Sequence, residues 1–149
     1  MMAAGDSLEG AARRRSELEE ALQQVERAVA APAATVTWAD EVTHRMRRLE
    51  IALNHHIVEV ESPSGLLDQI VERAPRLQRQ VEGVRHHHFV LARSITEILH
   101  KLRTARTVGT APTDEIRKAT IDLLAEMTRH RLEGADLVYD AYDIDIGGY

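Results

Sequence analysis

The chain has 149 residues, of which 44% are hydrophobic, 29% charged and 3% aromatic, and its formal net charge is -5. That length suits one domain, spanning 1–149, with a sizeable core, and the interleaved charges argue against a nucleic-acid footprint, the basic run Arg13–Arg15 reading as a solvated helix face. The absence of cysteine excludes disulfides, thiolate metal sites and a thiol nucleophile, while charged Asp6, Glu9 and Arg13 interrupt any leader core and no apolar run is long enough for a membrane span, so a cytoplasmic protein is expected.

Leu, Ala, Arg and Glu dominate, and long stretches lack Pro and Gly, which suits an all-α protein. Met1 to Gly5 is expected to be disordered. A first helix is predicted from about Ser7 to Ala31, with the apolar stripe Leu8, Ala11, Leu18, Leu22, Val25 and Val29. Arg15 falls on that stripe near its N-terminal end, and Pro32 breaks the helix. Thr37 is predicted to cap a second helix, Trp38 to about Glu61, with Asp40 three residues on in capping-box style. Its stripe runs Val42, Met46, Leu49, Leu53, His56, Val60, so a histidine takes a core position.

Ser62 to Gly65 reads as a turn, and Gly65 to Ala74 as a short amphipathic helix. Pro75 then opens a long third helix ending near Thr104. Its apolar series is Leu77, Val81, Val84, Leu91, Ile95, Ile98 and Leu102, and His88 stands at the one missing position. After a loop from Ala105 to Pro112, Thr113 is predicted to cap the fourth helix, with Asp114 and Glu115 in its first turn. That stripe is Ile116, Leu123, Met127, His130, Gly134, Leu137 and Ala141. The ends, 1–6 and 143–149, are expected to be flexible tails. Four amphipathic helices with short connections predict an up-and-down four-helix bundle with a short extra helix between helices 2 and 3.

Each imidazole in such a core displaces an aliphatic side chain whose burial contributes roughly 1.5–3 kcal/mol, and adds polar atoms that must be satisfied. A lone core histidine commonly hydrogen-bonds to a neighbour. Three on three separate stripes suggest a shared metal, and a nitrogen–oxygen donor set without thiolate suits iron, manganese or zinc. Glu59 and Glu133 each follow a histidine by three residues and so share its face. Glu61 and Asp136 follow at five and six, out of phase, with Gly134 offering a local distortion. His44, His55, His86, His87 and His100 fall off the stripes and are expected to be peripheral, although His55 or His87 replaces its neighbour if the helical phase shifts by one.

The segment His56, Glu59, Glu61, then Gly65-Leu66-Leu67, then Glu72-Arg73-Ala74-Pro75, then His88 resembles the central part of hemerythrin-like (HHE cation-binding) domains. The fourth helix, with His130, Glu133, Asp136 and Leu137-Val138-Tyr139, resembles that family's last helix. The resemblance covers roughly residues 38–142. It implies a mono- or dinuclear non-haem iron site on His56, His88 and His130, with Glu59 or Glu61 and Glu133 or Asp136 as carboxylate ligands. It further implies a small diatomic or peroxide ligand. Tyr139 or Tyr142 could hydrogen-bond such a ligand, although a packing role is the first expectation for both. The departures are a first helix without histidine, carboxylates at three rather than four or five positions after histidine, and Leu91 and Ala92 where the family often has a further ligand. A carrier or sensor is therefore set against a di-iron enzyme consuming peroxide or oxygen, and against a metal-free interaction protein with structural histidines.

Overall fold

The computed structural model describes residues 4–33, 37–108 and 112–143. Among these, all regular structure is helical: α1 (Ala4–Ala30), α2 (Trp38–Glu61), α3 (Leu66–Arg73), a 3₁₀ turn (Pro75–Leu77), α4 (Gln78–Val108) and α5 (Thr113–Tyr142). None of the described helices is long and apolar enough to cross a membrane.

The apolar stripes govern the packing. Every stripe position named for α2, α4 and α5 is buried, while Leu8 and Leu22 on α1 are half-buried. α1 packs on α2, α2 on α4, α4 on α5 and α5 back on α1. The buried side chains fall into two clusters. One contains Leu18, Val25, Trp38, Leu49, Leu53, Leu91, Ile95, Ile116 and Met127. The other contains Ala11, Val60, Leu67, Ile70, Leu77, Val84, Leu137 and Ala141. Each long helix runs from one cluster to the other, and consecutive long helices run in opposite senses. α3 closes the second cluster with Leu66, Leu67 and Ile70.

Backbone carbonyls at the helix ends are tied across elements. Arg73 and Arg76 donate to the carbonyls of Ala141 and Asp140. At the opposite end, Arg117 donates to Val29 and Ala31 and lies over the Trp38 ring at 5.4 Å. These contacts satisfy C-terminal groups that a helix leaves without internal partners.

Several helix boundaries differ from the predicted ones. Ala4 and Gly5 are helical rather than disordered, and α1 ends at Ala30. Thr37 occupies the N-cap position but in the αR region, making no side-chain cap bond, so the predicted capping box does not form. Thr113 is the first helical residue, not the cap; Pro112 holds that position. Pro75 opens a single 3₁₀ turn before α4, whose hydrogen-bonding then continues to Val108, beyond the predicted end. Tyr142 is still helical and Asp143 stops α5 in the left-handed region, while the predicted tail 144–149 and the centre of the predicted loop, 109–111, lie outside the described residues.

The α2–α3 corner is a tight turn. Ser64 has φ 62°, and a Cβ on Gly65 would lie 2.8, 3.1 and 3.3 Å from the carbonyl oxygens of Ser62, Glu59 and Val60. Backbone atoms cannot yield as a flexible side chain can. Gly65→Ala is expected to lower unfolding stability by about 1–3 kcal/mol, read as a reduced urea midpoint; an unchanged midpoint would show that this corner is looser than its geometry implies.

Candidate metal centre

Helical periodicity carries His56, His88 and His130 inward from α2, α4 and α5. Their exposures are 0, 1 and 2%. Along each helix the histidine lies between the two apolar clusters: Leu53 and Val60 flank it on α2, Leu91 and Val84 on α4, Met127 and Leu137 on α5. Helices running in alternating senses thus bring the three rings to one level. The rings meet edge-on, with centroids 5.1, 5.6 and 4.7 Å apart.

The donor atoms converge. His88 Nε2 lies 3.1 Å from His130 Nε2, which lies 3.4 Å from His56 Nε2. One ligand atom from each of the three lies within 4.8 Å of the other two, so together they can hold a metal ion. Nitrogens bonded to one ion at about 2.0–2.1 Å and separated by 90–109° are roughly 2.9–3.4 Å apart, which spans the two closest distances found here.

The other nitrogen of His88 identifies its tautomer. Nδ1 donates to Glu61 Oε2 at 2.7 Å, because a carboxylate can only accept. In neutral His88, Nε2 therefore presents a lone pair to the cluster. Arg85 holds the Glu61 carboxylate from behind, with Nη1 3.2 Å from Oε1, and its Nη2 reaches Asp68 at 3.0 Å. Burial pushes the Glu61 carboxyl up, but the His88 hydrogen bond and the neighbouring His88 and Arg85 charges outweigh it and hold the group below its usual range.

Burial and the neighbouring His88 depress His56 to a pKa of about 3. Burial, with His88, His56 and His87 nearby, depresses His130 to about 2. Both are neutral at physiological pH. Neutral imidazoles are the form that binds metal.

The remaining predicted ligands are distributed differently. Glu61 is brought to the site, but behind His88 rather than among the converging nitrogens. Glu59, in phase with His56, instead points to α1: its Oε1 lies 3.6 Å from Arg13 and 4.0 Å from Arg14. It also sits over Gly10, where an added Cβ would be only 2.6 Å from it. The run Arg13–Arg15 is thus only partly a solvated face. Glu133 is exposed and lies 3.4 Å from His87 Nδ1, and Asp136 is exposed in the same α4–α5 groove. Tyr139 is exposed, and Tyr142 packs beneath Arg73, whose guanidinium is 5.1 Å from the ring centroid.

His87 departs from its expected peripheral place. Its side chain is 11% exposed, Nε2 lies 3.1 Å from Glu126 Oε2, and its ring centroid is 5.2 Å from that of His130. A sequence signal did exist, since Glu126 and Glu133 are seven residues apart and share a face of α5. His55 meets Glu17 of α1 at 2.7 Å on the surface, and His44, His86 and His100 are exposed. No protein-family model matches the sequence, and neither a curated protein nor a solved structure matches it.

The depressed histidines make a pH prediction for the metal-free protein. Unfolded, His56 and His130 titrate near 6.5; folded, they titrate near 3 and 2. The unfolded chain therefore binds more protons below about pH 6.5, and stability is full above that pH and falls as acid is added. Each group contributes up to about 1.4 kcal/mol per pH unit. Urea unfolding should show a loss on the order of 2 kcal/mol or more between pH 7.5 and pH 5, and equal stabilities at the two values would contradict the burial of neutral imidazoles.

Proposed function

We propose that the protein is a hemerythrin-like metal binder in which four long helices form an up-and-down bundle around one non-haem iron ion held by His56, His88 and His130. The observation that carries this reading is the convergence of three buried imidazoles from three helices on one point. A nitrogen set without thiolate accepts iron, manganese or zinc; the resemblance of the 38–142 segment to hemerythrin-like domains favours iron. A metal held by His56, His88 and His130 would supply a Lewis-acidic centre able to bind a small ligand such as dioxygen or peroxide. The chain's own part is to present three lone pairs, to orient His88 through Glu61, and to exclude water with the apolar layers on either side.

A single ion is favoured over a pair. A second metal needs bridging and terminal carboxylates, whereas Glu59 is engaged with Arg13 and Arg14, and Glu133 and Asp136 lie in the outer groove. That arrangement supports carrying or sensing a small molecule over di-iron catalysis. The metal-free alternative draws on the same contacts, since 3.1 and 3.4 Å are hydrogen-bonding distances. His130 Nε2 is shared by both, however, and a single N–H there is directed well at only one partner.

Protein expressed in iron-supplemented medium should contain close to one metal ion per chain by elemental analysis. Chelation should lower its melting temperature, a ligand at a hundred times its Kd being worth about 2.7 kcal/mol. Metal content near zero, with stability indifferent to chelator, would establish the metal-free core instead. His88→Ala is expected to abolish metal binding, and full retention of metal by that variant would remove the assignment.

Glu61→Gln is a milder probe, because an amide oxygen still accepts from Nδ1 but carries no charge. It should fold and bind metal about 10–100-fold more weakly, as outer-shell partners of ligating histidines generally do. Competition titration against a chelator measures this, and unchanged affinity would mean that Glu61 does not tune the centre.

A further inference from the structure

The three imidazoles are at most 2% exposed, so an ion needs a path to them. A groove of about 600 Å³ runs between α4 and α5. Four carboxylates, Glu126, Glu133, Asp136 and Asp140, line it against one cation, Arg129, a formal balance of -3 with histidines neutral. Val84, Val90 and Leu137 supply apolar wall. Low-dielectric walls beside charges of one sign concentrate oppositely charged ions.

His87 connects this groove to the buried centre. It lines the groove, its side chain is 11% exposed, and its ring packs edge-on against His130 at 5.2 Å. Its two nitrogens face Glu126 at 3.1 Å and Glu133 at 3.4 Å. Oxygen donors therefore lie at the mouth, nitrogen donors on the floor, and the three-histidine cluster beyond it. The grooves lined by Glu17, Glu20 and His44, and by Glu19, Glu26 and Arg131, include none of the three histidines.

We propose that the α4–α5 groove is the port through which a hydrated divalent cation enters and leaves, with Glu126 and Glu133 as its first protein ligands and His87 as the floor it passes to reach His130. The port rests on the metal-binding reading of His56, His88 and His130. It adds kinetics to that reading without altering its equilibrium. Carboxylates replace some of the ion's water, and the imidazoles then replace the carboxylates. No ligand of the port belongs to the final site, so removing the port slows entry and exit together.

Anaerobic stopped-flow uptake of Co²⁺, followed by its ligand-field absorption, tests this on the full chain. Glu126→Gln with Glu133→Gln should slow uptake at least tenfold and flatten its dependence on salt. Extraction by excess EDTA should slow by a similar factor, leaving stoichiometry and Kd close to wild type. Both side chains are at least 40% exposed, so the variant is expected to fold, as circular dichroism can verify. The control, Glu17→Gln with Glu20→Gln, should load at the wild-type rate. Unchanged uptake in the port variant, equal slowing in the control, or weakened affinity without slowed exchange would each overturn the port while leaving the metal centre intact. Wild-type protein that takes up no Co²⁺ would overturn the metal-binding reading, and the port with it.

Discussion

The hydrogen bond from His88 Nδ1 to Glu61 Oε2, 2.7 Å long, fixes the orientation of a buried ring and joins two helices at once. It fixes Nδ1 as a donor, so that in the neutral ring the lone pair is on Nε2, facing His130 and His56. It also anchors the last residue of α2 to the middle of α4, with Arg85 and Asp68 extending the network to α3. A charged group this close to the core is tolerable because the Glu61 side chain remains 23% exposed, while the imidazole it touches is 1% exposed. The carboxylate can keep solvent contact, and the imidazole transmits its influence inward.

That division explains why the polar layer does not disrupt the fold. Apolar clusters lie on both sides of the three histidines, each drawing on all four long helices. Between them, an array of aliphatic side chains would pack at least as well, contributing roughly 1.5–3 kcal/mol for each one buried. Three imidazoles are a weaker core and a better ligand set. The same desolvation that depresses His56 and His130 keeps their lone pairs free of protons, so the feature that weakens the metal-free core also readies it for a cation.

The sequence made the histidine cluster readable because period and burial are tightly coupled in a helix. A gap in a four-three series says which way a side chain faces, and short rigid imidazoles end up where their backbone directs them. The carboxylates were harder. Glu59 shares the phase of His56, yet its longer side chain leans to α1, where Gly10 leaves room and Arg13 and Arg14 supply charge. Nothing in the α2 pattern reveals a gap on another helix. Glu61 is out of phase by five residues, but near the helix end its side chain reaches α4 instead of following its own stripe. His87 escaped for a related reason: a position off the apolar stripe becomes nearly enclosed when the neighbouring helix presents two acids to its two nitrogens.

Helix α1 shows what the missing histidine means structurally. Its apolar stripe passes from Ala11 in one cluster to Leu18 in the other, and in the interval it offers arginines rather than a ligand. Arg13 and Arg14 draw Glu59 out of the space that its helical phase would allow it to share with His56. The ion pairs and the missing ligand are therefore one feature. A carboxylate paired with arginines on α1 is a weaker competitor for a cation than a free one. The donors that remain come from α2, α4 and α5, one buried imidazole from each, and together these three can hold a metal ion.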